Sequence, residues 1–135
     1  ATATALQLLD PATVTVVGGE AVVPADVAEA VGATARLAGA DRYTTSVAVA
    51  EASLALGLRP TRTWLATGTD FPDALAVGVA SARSGDVMLL VDGATPADDA
   101  SDVAAWLADH GVVRLTVAGG EDAIVPSSVD GILPG

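Results

Sequence analysis

The chain has 135 residues and a formal charge of −11, and its composition is 51% apolar but only 3% aromatic. That length suits one domain with a core of small aliphatic side chains. The negative balance argues against nucleic acid and anionic membrane surfaces as partners, no apolar run is long enough to span a bilayer, and the lack of cysteine excludes a disulfide framework or thiolate metal centre.

Thr2–Leu9 reads as a helix, and Thr13–Val17 as a β-branched strand that stops at Gly18-Gly19. Pro24–Val31 reads as a short helix ended by Gly32, and Arg36–Leu37 as a short extended piece before Gly39. Tyr43–Leu56 has helical spacing, with Val47, Ala50 and Leu54 on one side, and stops at Gly57. Arg62–Ala66 is a second strand. Asp73–Ser84 follows as a helix with Leu75, Val79 and Ala82 on one stripe. Val87–Val91 is near-continuously apolar, as in a strand covered on both faces. Pro96–His110 places Val103, Ala104 and Leu107 inward on a helix, Val113–Val117 is the last strand, and a short helix starts at Pro126. Alternation of this kind predicts an α/β fold with a mainly parallel sheet, helices on both faces and right-handed crossovers.

Two segments repeat. Val14–Val31 and Leu115–Ile132 share Gly-Gly-Glu after a strand, at Gly18-Gly19-Glu20 and Gly119-Gly120-Glu121. Pro24 matches Pro126 after one inserted residue, and Leu6 of the first helix falls on Leu107. A period of roughly 101 residues marks a tandem array. Residues 1–35 then read as the end of one copy and 36–132 as one full copy, within a single α/β domain spanning 1–135.

Each candidate for chemistry has a structural competitor. The Gly-Gly pairs sit where phosphate is cradled, but they lack a dinucleotide fingerprint or phosphate-loop lysine, so a tight turn explains them. Asp92, Asp98, Asp99 and Asp102 could attract a hard cation, but their spacing is not that of an EF-hand loop and suits a solvated helix start. Asp70 and Asp73 could be an acid/base pair after a strand, yet capping of the next helix accounts for both. Thr95-Pro-Ala-Asp98 and Asp41-Arg-Tyr-Thr44 carry the same capping logic. His110 is the single histidine and ends a helix, where it can meet free carbonyls. Trp64 and Trp106 lie on apolar stripes and read as core rather than sugar platforms. Arg36 and Arg42 bracket Asp41: either an ion pair fixes this turn, or an arginine is left to grip a carboxylate or phosphate.

Several ordered motifs together resemble one family. Arg36–Thr45 is similar to the opening of a cell wall-binding repeat of type 2, found in surface-layer and wall-anchored proteins of Gram-positive bacteria. Asp70-Phe-Pro-Asp-Ala-Leu75, Val87–Val91 and Val117–Val125 resemble its central, strand and closing motifs. The resemblance implies an extracellular, non-enzymatic module of Rossmann-like (Toprim-related) fold. It implies use in tandem copies or oligomers, with an anionic wall polymer or glycan as partner. It needs no cofactor, no metal and no membrane insertion. The positions it carries over are Arg36, Asp41, Arg42, Thr45, Asp73, Gly119 and Gly120, with Arg36, Asp41, Arg42 and Thr45 as candidate ligand contacts and Asp73 and the glycines as architecture. The alternatives are a self-assembling subunit of a surface layer or filament and, further off, a metal-dependent Toprim-like enzyme. The latter needs carboxylates two residues apart after a strand, and none is present.

Overall fold

The computed structural model describes residues 2–94 and 101–130. The expected cap at Thr95–Asp98, the carboxylates Asp98 and Asp99, and Ile132 lie outside these residues. In chain order the elements are α1 (Thr2–Leu9), β1 (Thr15–Val17), α2 (Ala25–Ala30), β2 (Ala35–Leu37), α3 (Arg42–Leu54), β3 (Arg59–Thr67), α4 (Pro72–Ser84), β4 (Asp86–Val91), α5 (Ser101–Asp109), β5 (Arg114–Ala118) and α6 (Ser127–Asp130).

All strand pairs are parallel, as the alternation demands. One difference is decisive: the strands form two sheets rather than one. β1 pairs with β2 alone, and the main sheet runs β4-β3-β5. The long central β3 is flanked by β4, with Leu65 opposite Leu89, and by β5, with Leu65 opposite Val117. α3 and α5 pack together over one face, while α4 lies across the strands without joining that pair, so the main sheet is covered on both sides.

The core is aliphatic, as composition requires. Leu65, Val87, Leu89, Val91, Val103 and Leu107 are almost wholly buried, and Trp106 is the aromatic side chain in their cluster. Burying each such aliphatic side chain contributes about 1.5–3 kcal/mol. Trp64 is only half-buried. Trp106 donates its indole N–H to Glu51 of α3 (2.9 Å) and stacks on His110 at 4.2 Å between ring centres. His110 sits 2.8 Å from the Trp106 carbonyl through Nδ1 and 3.2 Å from Glu51 through Nε2, which ties the end of α5 to α3.

α4 departs from its expected orientation. The stripe Leu75, Val79 and Ala82 faces solvent, while Val77 and Ser81 turn inward. The helix is rich in Ala and Val all round, so periodicity identifies a face without saying which one meets the sheet. Its start also differs. Phe71 is the N-cap residue, Pro72 occupies the first turn, and Asp70 accepts from the neighbouring Phe71 N–H (2.8 Å) rather than capping α4. At the other end Gly85 adopts φ 71°, the left-handed stop that glycine permits.

The bottom of the main sheet holds a buried carboxylate that the sequence did not announce. Asp86 is 1% exposed and lies between Arg59 Nη2 (3.6 Å) and Arg62 Nε (3.8 Å). Neither of its oxygens has a hydrogen-bond partner among the described residues, so the two guanidinium charges compensate it across a slightly longer gap.

Candidate functional site

The link from β2 to α3 is built almost entirely from local hydrogen bonds. Asp41 is the N-cap of α3: its carboxylate accepts from the Thr44 backbone N–H (2.7 Å) and hydroxyl (2.8 Å). Its own N–H donates to Thr44 Oγ1 (3.1 Å), which completes a reciprocal capping box. Thr45 Oγ1 donates to the Asp41 carbonyl (2.6 Å) and accepts from the Gly39 N–H (2.9 Å). Gly39 is required by close approach, since a Cβ there would lie 2.6 Å from the carbonyl carbon of Thr44. The Thr44 N–H, and then its hydroxyl, hold the Asp41 carboxyl below its ordinary pKa of 3.8.

Asp41 and Thr45, two of the four expected ligand contacts, are therefore occupied in shaping this loop. The two arginines reach further. Arg36 Nη1 donates to the carbonyl of Gly18 (2.6 Å), across the small sheet. Arg42 Nη1 donates to the carbonyl of Gly68, at the end of β3. The expected ion pair with Asp41 is absent among the described residues; each arginine instead holds a backbone carbonyl. A guanidinium has five N–H donors in a planar fork, so each arginine retains donors beyond the one bond it makes.

These residues border a groove of about 600 Å³ between the β1–β2 ribbon and the face of α3 and β4. Asp41, Arg42 and Thr45 line it, and Gly18, whose carbonyl Arg36 grips, lines it from the other side. Arg36 itself is outside the lining. The floor is apolar, with Val22, Val49, Met88 and Leu90, a feature the sequence reading did not identify. Ser46 is on the floor too but is satisfied, accepting from the Leu90 N–H (3.0 Å) and donating to the Tyr43 carbonyl (2.7 Å). The arrangement suits a ligand with an apolar face and an anionic edge.

Next to it, the carboxyl ends of the main strands gather the remaining motif residues. Tyr43 and Arg42 pack over Gly68. Burial, then the charge of Asp92, pushes the Tyr43 phenol above its ordinary value. Asp73, in the first turn of α4, packs on Gly119, where a Cβ would meet its carboxylate at 2.9 Å. This supports the architectural reading of Asp73 and of the glycine.

The two Gly-Gly turns are alike in detail. Gly18 and Gly119 have φ of 115° and 114°. The N–H groups of Val22 and Val23 donate to the carbonyl of Gly19, and those of Ala123 and Ile124 donate to that of Gly120. Both pairs build tight turns, and no cluster of potential metal ligands is present among the described residues.

The fold defines a class, an α/β module with a parallel sheet covered on both faces. Residues 36–130 match the family model described as Cell wall binding domain 2 (CWB2), and the chain belongs to that family. Among solved structures, Cwp6 from Clostridium difficile is similar, with a TM-score of 0.79 at 20% identity. The match covers 96% of this chain and 21% of Cwp6, so this chain spans about a fifth of that protein's length. At that identity the likeness concerns the fold. No curated protein matches the chain.

Proposed function

We propose that the chain is a non-enzymatic module that attaches an extracellular surface protein to the cell wall by holding an anionic wall glycan in the groove beside Arg42. The observation that carries this reading is the groove itself: an apolar floor with the Arg42 guanidinium at its rim, one arm fixed on Gly68 and the rest without a hydrogen-bond partner among the described residues. Family membership supplies the wall as the place to look. With a net charge of −11, attraction to an anionic polymer must come from these local arginines rather than from the overall field. Fixing Arg42 on a carbonyl lowers the entropy lost when it binds.

The test is retention on purified wall polymer. Losing one charge-assisted hydrogen bond costs about 1.5–3 kcal/mol, so Arg42→Ala is expected to weaken binding by about tenfold or more. Arg42→Lys is expected to recover part of it, and added salt to weaken the unaltered chain. Equal retention of the unaltered chain and Arg42→Ala would remove Arg42 from the site.

A second reading, self-assembly on the surface, draws on the stripe of Phe71, Leu75 and Val79, which are 70%, 67% and 65% exposed along one side of α4. Light scattering decides it: a strict monomer at all accessible concentrations counts against it.

A further inference from the structure

The repeat makes β1 and β5 equivalent strands, yet they are paired on opposite edges. Among the described residues β1 carries β2 and nothing else, and β5 carries β3 and nothing else. Backbone direction alternates along a strand, so the two edges can be compared atom by atom. In β1 the groups that meet β2 belong to alternate residues. The Val14 carbonyl accepts from Thr34 N–H (2.8 Å) and Ala35 N–H (3.2 Å), and Gly18 N–H donates to the Leu37 carbonyl (2.8 Å). Their repeat equivalents in and after β5 are Leu115 and Gly119, with Val117 between them as the counterpart of Val16.

Those groups point away from β3. Gly68 N–H donates to Val91 of β4, so the even-numbered residues at this end of β3 face β4, and Thr63 and Leu65 face β5. In a parallel pair only one residue of each opposed couple directs its groups across. Leu115 and Val117, opposite Thr63 and Leu65, therefore direct theirs to the open edge. Two further features match. The turn after each strand has the same φ at its first glycine. The Gly18 carbonyl, equivalent to that of Gly119, is the acceptor for Arg36 of β2.

We infer that the open edge of β5 is the seat for the β2 strand of a further copy of this same repeat. That strand extends β4-β3-β5 to a fourth parallel strand, and the incoming copy's Arg36 clamps the Gly119 carbonyl. The first copy in this chain shows the reciprocal half. Leu107 and Val112, which are 1% and 5% exposed, correspond to Leu6, half-buried, and Pro11, exposed. The α1-β1-α2 segment thus has the pattern of a repeat end, less covered at these positions than its counterpart.

The experiment compares amide hydrogen exchange in this chain with that in a chain extended after Gly135 by a second copy of residues 34–135. In the extended chain the Val117 and Gly119 amides are expected to slow by tenfold or more, while Thr116, which faces β3, stays as it was. Val117→Pro removes a donor from the open edge only, so it should leave the single-copy chain folded and destabilise the extended one. Unprotected Val117 and Gly119 in the extended chain, whether its second copy folds or not, overturn the inference. So does concentration-dependent protection of the same amides in the single-copy chain, which would make β5 a seat for another β5 edge.

Discussion

Gly39→Ala tests how tightly the rim of the groove is built. An added Cβ would lie 2.6 Å from both the carbonyl carbon and Cβ of Thr44, and ordinary contact begins at 3.4 Å. The first turn of α3 must therefore retreat by roughly 1 Å, or the loop must open by as much. Either movement breaks the Thr44 N–H to Asp41 bond at 2.7 Å and the Gly39 N–H to Thr45 bond at 2.9 Å. Loss of the cap costs about 1 kcal/mol and the overpacking about 1–3, giving about 2–4 kcal/mol in all. With a urea m-value of about 1.5 kcal/mol/M, the unfolding midpoint should fall by about 1.3–2.7 M. Asp41→Ala removes the cap alone and should cost about 1 kcal/mol. Because both substitutions forfeit the same cap, the double variant should be less damaging than the sum by about 1 kcal/mol. Gly19 offers a control, since a Cβ there meets nothing within 4 Å and its φ is not left-handed. If Gly39→Ala costs no more than Gly19→Ala, or adds fully to Asp41→Ala, the coupling of loop and cap is wrong.

Acid should reach the same cap. The Asp41 carboxyl is held below 3.8, so its contribution is whole above that pH and disappears as pH falls through the lowered value. Asp41→Asn keeps an acceptor at the cap, and its stability relative to the unaltered chain should rise below pH 3.8; a constant difference across the acid range would refute this. Replacing both Arg59 and Arg62 by Leu strands the buried Asp86 charge and should cost about 3 kcal/mol, much of it recovered by adding Asp86→Ala; a denaturant cycle without recovery would refute the compensation. Gly93→Ala drives a Cβ into the Ala123 carbonyl and displaces the Gly93 carbonyl from Val125 N–H (2.9 Å) and Ser128 Oγ (3.2 Å). It should cost about 3 kcal/mol or more, read as a midpoint shift with unchanged slope.

What could be read from the sequence was local. The Gly-Gly turns, the Asp41 box and the His110 helix end each depend on residues within a few positions, and each formed as expected. Helix and strand existence followed from periodicity. What could not be read depended on partners far along the chain. The division into two sheets is set by which edge of β3 receives β5, a contact about 50 residues apart. The inward face of α4 is chosen by small side chains, Val77 and Ser81, that periodicity ranks no higher than Leu75. Arg36 and Arg42 were legible as candidates because they flank the cap. Their actual acceptors, the Gly18 and Gly68 carbonyls, lie 18 and 26 residues away. The groove floor from Met88 and Leu90 required the completed fold.

The parallel pairing of β1 with β2 has a mechanical consequence. Tension applied along the polypeptide enters β1 at its amino end and leaves the small sheet through the carboxyl end of β2, which lies at the far end of the ribbon. The rungs between the strands are then loaded together, in shear, rather than peeled one after another as in a hairpin. The Arg36 grip on Gly18 sits at the last rung, beside the bond between Gly18 N–H and Leu37. A strand pair of only three residues gains a bolt at the point where sliding would begin. Force spectroscopy on the chain should find a higher rupture force with Arg36 present than with Arg36→Ala at matched equilibrium stability.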